Sequence, residues 1–227
     1  MRLSAHQPSY IPWLGLLSKI DDADLFCIFD CVPMESSGFE NRQRIKTAQG
    51  VQWLTVPVRR SRDMPVKDVL IANDHNWQRK HWRAVELAYS KAKHFGEYGP
   101  QVKDILMQPW SKLADLDEAM LRYFTGVFGI TTRIVKASEN GFNGHKSDLV
   151  LDMCRKLDVS EYVFGPLGRG YADLQSFMDA GIGVEFQYYT HPEYPQLHGA
   201  FQPYMGALDL LFNVGGEKGA EVIRSGR

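Results

Sequence analysis

The sequence predicts an α/β fold: a mixed sheet with flanking helices, in one compact domain spanning residues 1–227 and carrying a helical insertion. Three observations predict it. Short apolar runs of strand length (Leu25 to Phe29, Thr131 to Val135, Tyr162 to Phe164, Gly183 to Tyr189) are separated by segments of helical periodicity. Several of these runs pass directly into polar or glycine-rich segments, as strands do in α/β proteins that bind ligands beyond the strand ends. From Asn76 to Phe128 the pattern is largely helical.

The chain opens on the segment that organises this reading. His6-Gln7-Pro8-Ser9-Tyr10-Ile11-Pro12 places four hydrogen-bonding side chains between two prolines, each of which fixes its own φ and drives the preceding residue toward extended geometry. It is a stiff, non-helical crossing. Trp13 to Ile20 then suits a short helix with Pro12 near its first turn, and Leu25 to Phe29 reads as a buried strand ending at Asp30. This unit sets His6 and Asp30 at neighbouring strand ends.

Cys31 to Phe39 loses periodicity and reads as a surface loop. Glu40 to Thr47 and Val51 to Val58 form a hairpin, in which alternation puts Arg42, Arg44 and Lys46 on one face. That face suits phosphate or carboxylate, or else it is a charged guard on an edge strand. Val66 to Ile71 reads as a strand. Three helices follow, beginning near Asn76, Tyr98 and Ser111, the first with Asn73 or Asp74 as its N-cap. His145-Lys146-Ser147-Asp148 opens another helix; Glu139 stands where a phosphate loop would have its first glycine, but Lys146 and Ser147 at a helix N-terminus still suit an anion. Gly165 to Tyr171 places three glycines in a loop after a strand, which implies close backbone approach to a neighbouring segment or to a ligand. A second proline-stiffened crossing, Thr190 to Gly199, echoes the first, and the two suggest opposite walls of one pocket. Leu208 to Asn213 closes the chain as a buried helix with Gly215 and Gly216 beyond its end.

Charge and cysteines narrow the function classes. With 26 basic and 27 acidic side chains the formal charge is -1, so nothing draws the chain as a whole to nucleic acid or to an anionic membrane. Three cysteines without metal spacing favour a reducing, cytoplasmic setting, and no run approaches a membrane span or a signal-peptide core. Seven histidines include no HxH or HxxxH pair, so no metal site is expected. Cys27 lies in an apolar run and Cys31 has no histidine partner in the sequence, which leaves neither well placed as a nucleophile.

Taken in order, His6-Gln7-Pro8-Ser9-Tyr10-Ile11-Pro12-Trp13-Leu14-Gly15 with Lys19, Asn41-Arg42 with Ile45-Lys46, Trp53 to Val58, Lys146 to Leu149, Gly165 to Tyr171, Tyr194-Pro195-Gln196 and Asp209 to Asn213 resemble the WbqC-like protein family over nearly the whole chain. The resemblance implies a single domain of that kind and an accessory transferase of bacterial surface-polysaccharide (O-antigen, lipopolysaccharide) biosynthesis. The reaction it implies is aminoacyl transfer, glycine in particular, to an amino sugar.

Acyl transfer to an amine needs a base, oxyanion donors and a site for the phosphate of a nucleotide-linked or lipid-linked sugar. His6 or His198 supplies the base, with Asp30 orienting His6. Gln7, Tyr10 and Asn41 are the candidate oxyanion donors, and Arg42, Lys46, Lys146 and Ser147 the phosphate ligands. Trp13, Gly168, Arg169, Tyr171, Tyr194 and Gln196 complete the expected substrate contacts. The acyl donor, any cofactor and the oligomeric state are not readable. The second reading is a non-catalytic sugar-nucleotide binding or assembly module built from the same residues.

Overall fold

The computed structural model describes residues 1–227. Five strands, β1 (Arg2–His6), β2 (Leu25–Ile28), β7 (Arg133–Lys136), β8 (Glu161–Phe164) and β9 (Gly183–Phe186), form one sheet in the order β7-β2-β1-β8-β9, parallel throughout. The chain winds outward from β1 through β2 to β7, then returns to the other side of β1 for β8 and β9. Strand order therefore reverses between β1 and β8, where the crevice beyond the strand ends opens in doubly wound sheets.

Side chains alternate across this sheet and bury against a different layer on each face. Leu3, Ala5, Leu25 and Cys27 pack with α5 (Ser147–Lys156) and α6 (Leu174–Asp179) in the smaller core. Phe26 and Ile28 point the other way into a larger core with α1 (Leu14–Asp21) and the inserted elements.

The insertion holds two separate antiparallel pairs, β3 (Arg42–Thr47) with β4 (Gly50–Thr55) and β5 (Val58–Arg59) with β6 (Leu70–Ile71), then α2 (Trp77–Tyr89), α3 (Phe95–Met107) and α4 (Leu113–Val127). The antiparallel strands thus stand apart from the parallel sheet. The expected strand from Val66 shrinks to Leu70–Ile71, because Val66–Asp68 tightens into a 3₁₀ turn. The N-cap of α2 is Asn76, in the left-handed region, since Asn73–His75 forms its own 3₁₀ turn.

After α7 (Ala207–Val214) the chain does not stop at its glycines: α8 (Gly216–Arg224) follows. Gly215, at φ +92°, turns the chain. Gly216 and Gly219 serve packing instead of termination, because a Cβ on Gly216 would collide with Val127 O and one on Gly219 would come within 2.5 Å of the Phe128 ring. Glycines that permit close helix contact look in sequence like glycines that end a helix.

Candidate functional site at the strand ends

β1 and β2 pair in register, His6 opposite Ile28, so His6 and Asp30 do lie past neighbouring strand ends. They do not touch. Both Asp30 oxygens accept from Ser138, one from its amide at 2.9 Å and one from its hydroxyl at 2.6 Å, and this ties the end of β2 to the end of β7. Asp30 is a buried clamp between strands and does not orient His6.

The His6 ring is set by its own chain. Nδ1 lies 2.9 Å from Gln7 O, and because a carbonyl only accepts, Nδ1 carries the proton. Trp13 packs edge-on against the ring at 4.8 Å between centroids. The Nδ1 bond is the only one the ring makes, which leaves Nε2 with its lone pair and no protein partner. Burial, with the nearby Lys19 charge, lowers the His6 pKa to about 4, so the imidazole is neutral at physiological pH.

Lys19 is the residue whose part in this arrangement the sequence did not reveal. On α1 it is 4% exposed, has no carboxylate partner, and donates from Nζ to Ala5 O at 2.9 Å, beside the end of β1. Desolvation lowers its pKa to about 7. The available signal was a lysine inside the otherwise apolar run Leu14 to Ile20, a place where a charged side chain is buried only if its head reaches a polar group.

From His6 an aromatic ladder runs away from the sheet: Trp13 to Phe39 at 5.7 Å, Phe39 to Trp53 at 6.0 Å, with the guanidinium of Arg42 4.9 Å and that of Arg44 5.6 Å from the Trp53 ring. Backbone bonds hold it. Tyr10 N and Ser9 Oγ donate to Phe39 O, and Gln7 Nε2 donates to Pro33 O. The start of α7 and the hairpin meet the first crossing here: Trp13 bridges Gly206, Ala207 N donates to Pro12 O, and Gln43 Nε2 donates to Ile11 O.

The cations of β3 share a face, as alternation requires, but each already donates to backbone, with Arg44 Nε buried and unpartnered. Arg42 donates to Gly38 O and Ser37 O, Arg44 to Tyr204 O, and Lys46 Nζ to Gly199 O and Ala200 O. They fasten the 36–39 and 199–204 loops to the hairpin. Asn41 exchanges bonds with Val56, and Tyr10 is fully buried with its hydroxyl 2.8 Å from His81 Nδ1. Neither presents a free donor toward His6.

On the other side of the reversal, Gly165 and Gly170 have open space around them, whereas Gly168 abuts Phe164, where a Cβ would come within 2.7 Å. Its close approach is to the neighbouring strand. Arg169 sits 4.4 Å from the Phe186 ring and Tyr171 packs edge-on against Phe164. Gln187 Nε2 donates to Gly15 O, which joins the end of β9 to the start of α1. Lys146 and Ser147 open α5, against the opposite sheet face from α1, and the Ser147 hydroxyl accepts from Asp173 N. They are not assembled with Arg42 and Lys46.

His198 is not a second base at this site. Its Nε2 donates to Ala88 O at 2.7 Å, near the last turn of α2, so it binds a loop to a helix end. Gln196 belongs to a network around buried Asp209, which accepts from Gln196 Nε2 at 2.7 Å and from Tyr89 Oη at 2.9 Å, while Tyr194 is buried with no hydrogen-bond partner for its hydroxyl. Burial raises the pKa of all three thiols, Cys154 to about 12, so none is a ready thiolate.

A parallel sheet whose strand order reverses between β1 and β8, with helices on both faces, defines an α/β protein of the doubly wound class. The WbqC-like protein family matches residues 7–221, and the chain belongs to that family. It is 37% identical over 215 residues to the uncharacterized protein Rv1507c of Mycobacterium tuberculosis, covering 93% of each chain. No solved structure matches it. No helix is long and apolar enough to cross a membrane.

Proposed function

We propose that the chain is a transferase of bacterial surface-polysaccharide biosynthesis that moves an acyl or aminoacyl group, glycine by resemblance, onto the amine of an activated amino sugar bound beyond β1 and β8. The observation that carries the reading is His6, a neutral imidazole whose unpartnered Nε2 lies at the end of β1, beside the strand-order reversal. Family membership supports the substrate class.

In this reading the sugar amine attacks the acyl carbonyl, the C–N bond forms, and the bond to the donor's leaving group breaks. The amine proton becomes strongly acidic as nitrogen gains its bond to carbon, so a weak base can take it at that moment; His6 Nε2 accepts it and passes it to the leaving group. The Nδ1–H bond to Gln7 O holds the tautomer that leaves Nε2 unprotonated. The Lys19 ammonium suppresses premature protonation of the ring.

Mass spectrometry of surface glycans tests this in cells lacking the chain, complemented with the wild type or with His6→Asn. Loss of the acyl group in the deletion, restored only by the wild type, is expected; glycans of equal mass in all strains would remove the proposal. A non-catalytic binding module is the second reading, favoured by the low proton affinity of His6 and by the backbone commitments of Arg42 and Lys46.

A further inference from the structure

We infer that the groove between the tip of the β3–β4 hairpin and α2 is a second ligand site, for a phosphate-bearing molecule with an apolar group next to its phosphate. The inference does not depend on transfer chemistry at the strand ends. The groove encloses about 720 Å³ and lies at the far end of the hairpin from Arg42, a span of about 17 Å at the rise of a strand.

Its α2 wall carries Arg79, Lys80 and Arg83, all exposed. Lys80 and Arg83 follow Asn76 at helical spacing, so they share its face of the first turns. The Arg79 and Lys80 side chains have no hydrogen bond or ion pair, and Arg83 pairs only with Glu86 on its own helix. The first turn of α2 has no acidic residue, and the nearest upstream carboxylate, Asp74, pairs with Arg59. Arg79 and Lys80, near the first turn of α2, and Arg83 one turn on are like charges lining one wall, and a bound anion relieves their repulsion.

The hairpin wall supplies amides from Gln49 and Gln52, which can complete a phosphate's hydrogen bonds. At the other end of the groove Leu87 is 65% exposed, one of the more exposed large apolar side chains in the protein. Cations at one end and uncovered leucine at the other fit a phosphate with an adjoining apolar group, which a soluble nucleotide or a lipid headgroup both provide.

The test titrates the full chain with inorganic pyrophosphate, with a nucleoside diphosphate, and with phosphatidylglycerol vesicles against phosphatidylcholine vesicles. Binding that weakens at least tenfold in Arg79→Ala/Arg83→Ala and in Lys80→Glu, with hydrogen-exchange protection at residues 47–52 and 76–84, is expected of at least one anionic probe. Preference for the diphosphate assigns a soluble ligand, and preference for anionic vesicles assigns a lipid phosphate. Leu87→Asn should weaken the preferred probe relative to pyrophosphate. Equal affinity in wild type and in folded variants, or no binding of any probe, would overturn the inference while leaving the His6 glycan experiment untouched.

Discussion

Lys19 Nζ lies 2.9 Å from Ala5 O, so the only ammonium buried at the sheet's ligand end is anchored to the strand that carries His6. One hydrogen bond to a neutral carbonyl does not offset the desolvation of a full charge, and the pKa of Lys19 falls from 10.5 to about 7.

Lys19→Met should therefore stabilise the protein at neutral pH. A basic group with a lowered folded-state pKa binds fewer protons folded than unfolded, so the wild type gains stability as pH rises from about 7 to 10.5. The advantage of the methionine variant should be largest at and below pH 7, at most about 5 kcal/mol, and should shrink through that window. Urea denaturation at pH 6, 8 and 10 measures it; a gap that does not change with pH would mean the ammonium is solvated.

His6→Asn removes the proton acceptor and keeps a polar side chain at the end of β1. Turnover of the amino-sugar acceptor should fall by roughly 100-fold to 10,000-fold with acceptor affinity little changed. A variant with unchanged turnover, or one that loses affinity and turnover together, would assign His6 to binding alone.

Asp117 on α4 is 1% exposed, and neither carboxylate oxygen has a partner. Burial, and after it the charge of Glu40, raises its pKa well above 3.8. A carboxyl with a raised folded-state pKa costs stability as pH climbs above its unfolded value. Asp117→Leu should raise stability by about 1–3 kcal/mol at neutral pH, with a gain that grows from pH 4 upward. Thermal unfolding across that range reads it out, and a destabilised variant would point to a partner such as a buried water.

Asp209→Ala should cost on the order of 1–3 kcal/mol, because it leaves the buried Tyr89 hydroxyl without its acceptor and removes one of the two acceptors of Gln196 Nε2. It should also loosen residues 196–204, which Lys46 ties to the hairpin and which Gln196 braces from within. Hydrogen exchange at Leu197 and Gln202 compares the two effects; unchanged protection there would confine Asp209 to local packing.

By itself the sequence determined the α/β class, the stiff crossing after β1, the neighbouring ends at His6 and Asp30, and the shared face of Arg42, Arg44 and Lys46. All of these follow from local rules: proline geometry, period-two alternation and apolar run length. Tertiary structure alone decided which donors were already taken. Arg42 and Lys46 look like free cations in sequence, yet loops more than 150 residues from Lys46 in the chain and only four or five from Arg42 capture them. Strand order was equally out of reach, because β8 adjoins β1 only through pairing across the whole insertion, and it is this pairing that puts the reversal beside His6. The same non-local contacts separate His198, Lys146 and Asp30 from a histidine that spacing and chemistry had grouped them with, since hydrogen bonds saturate with whichever partner the fold brings within about 3 Å.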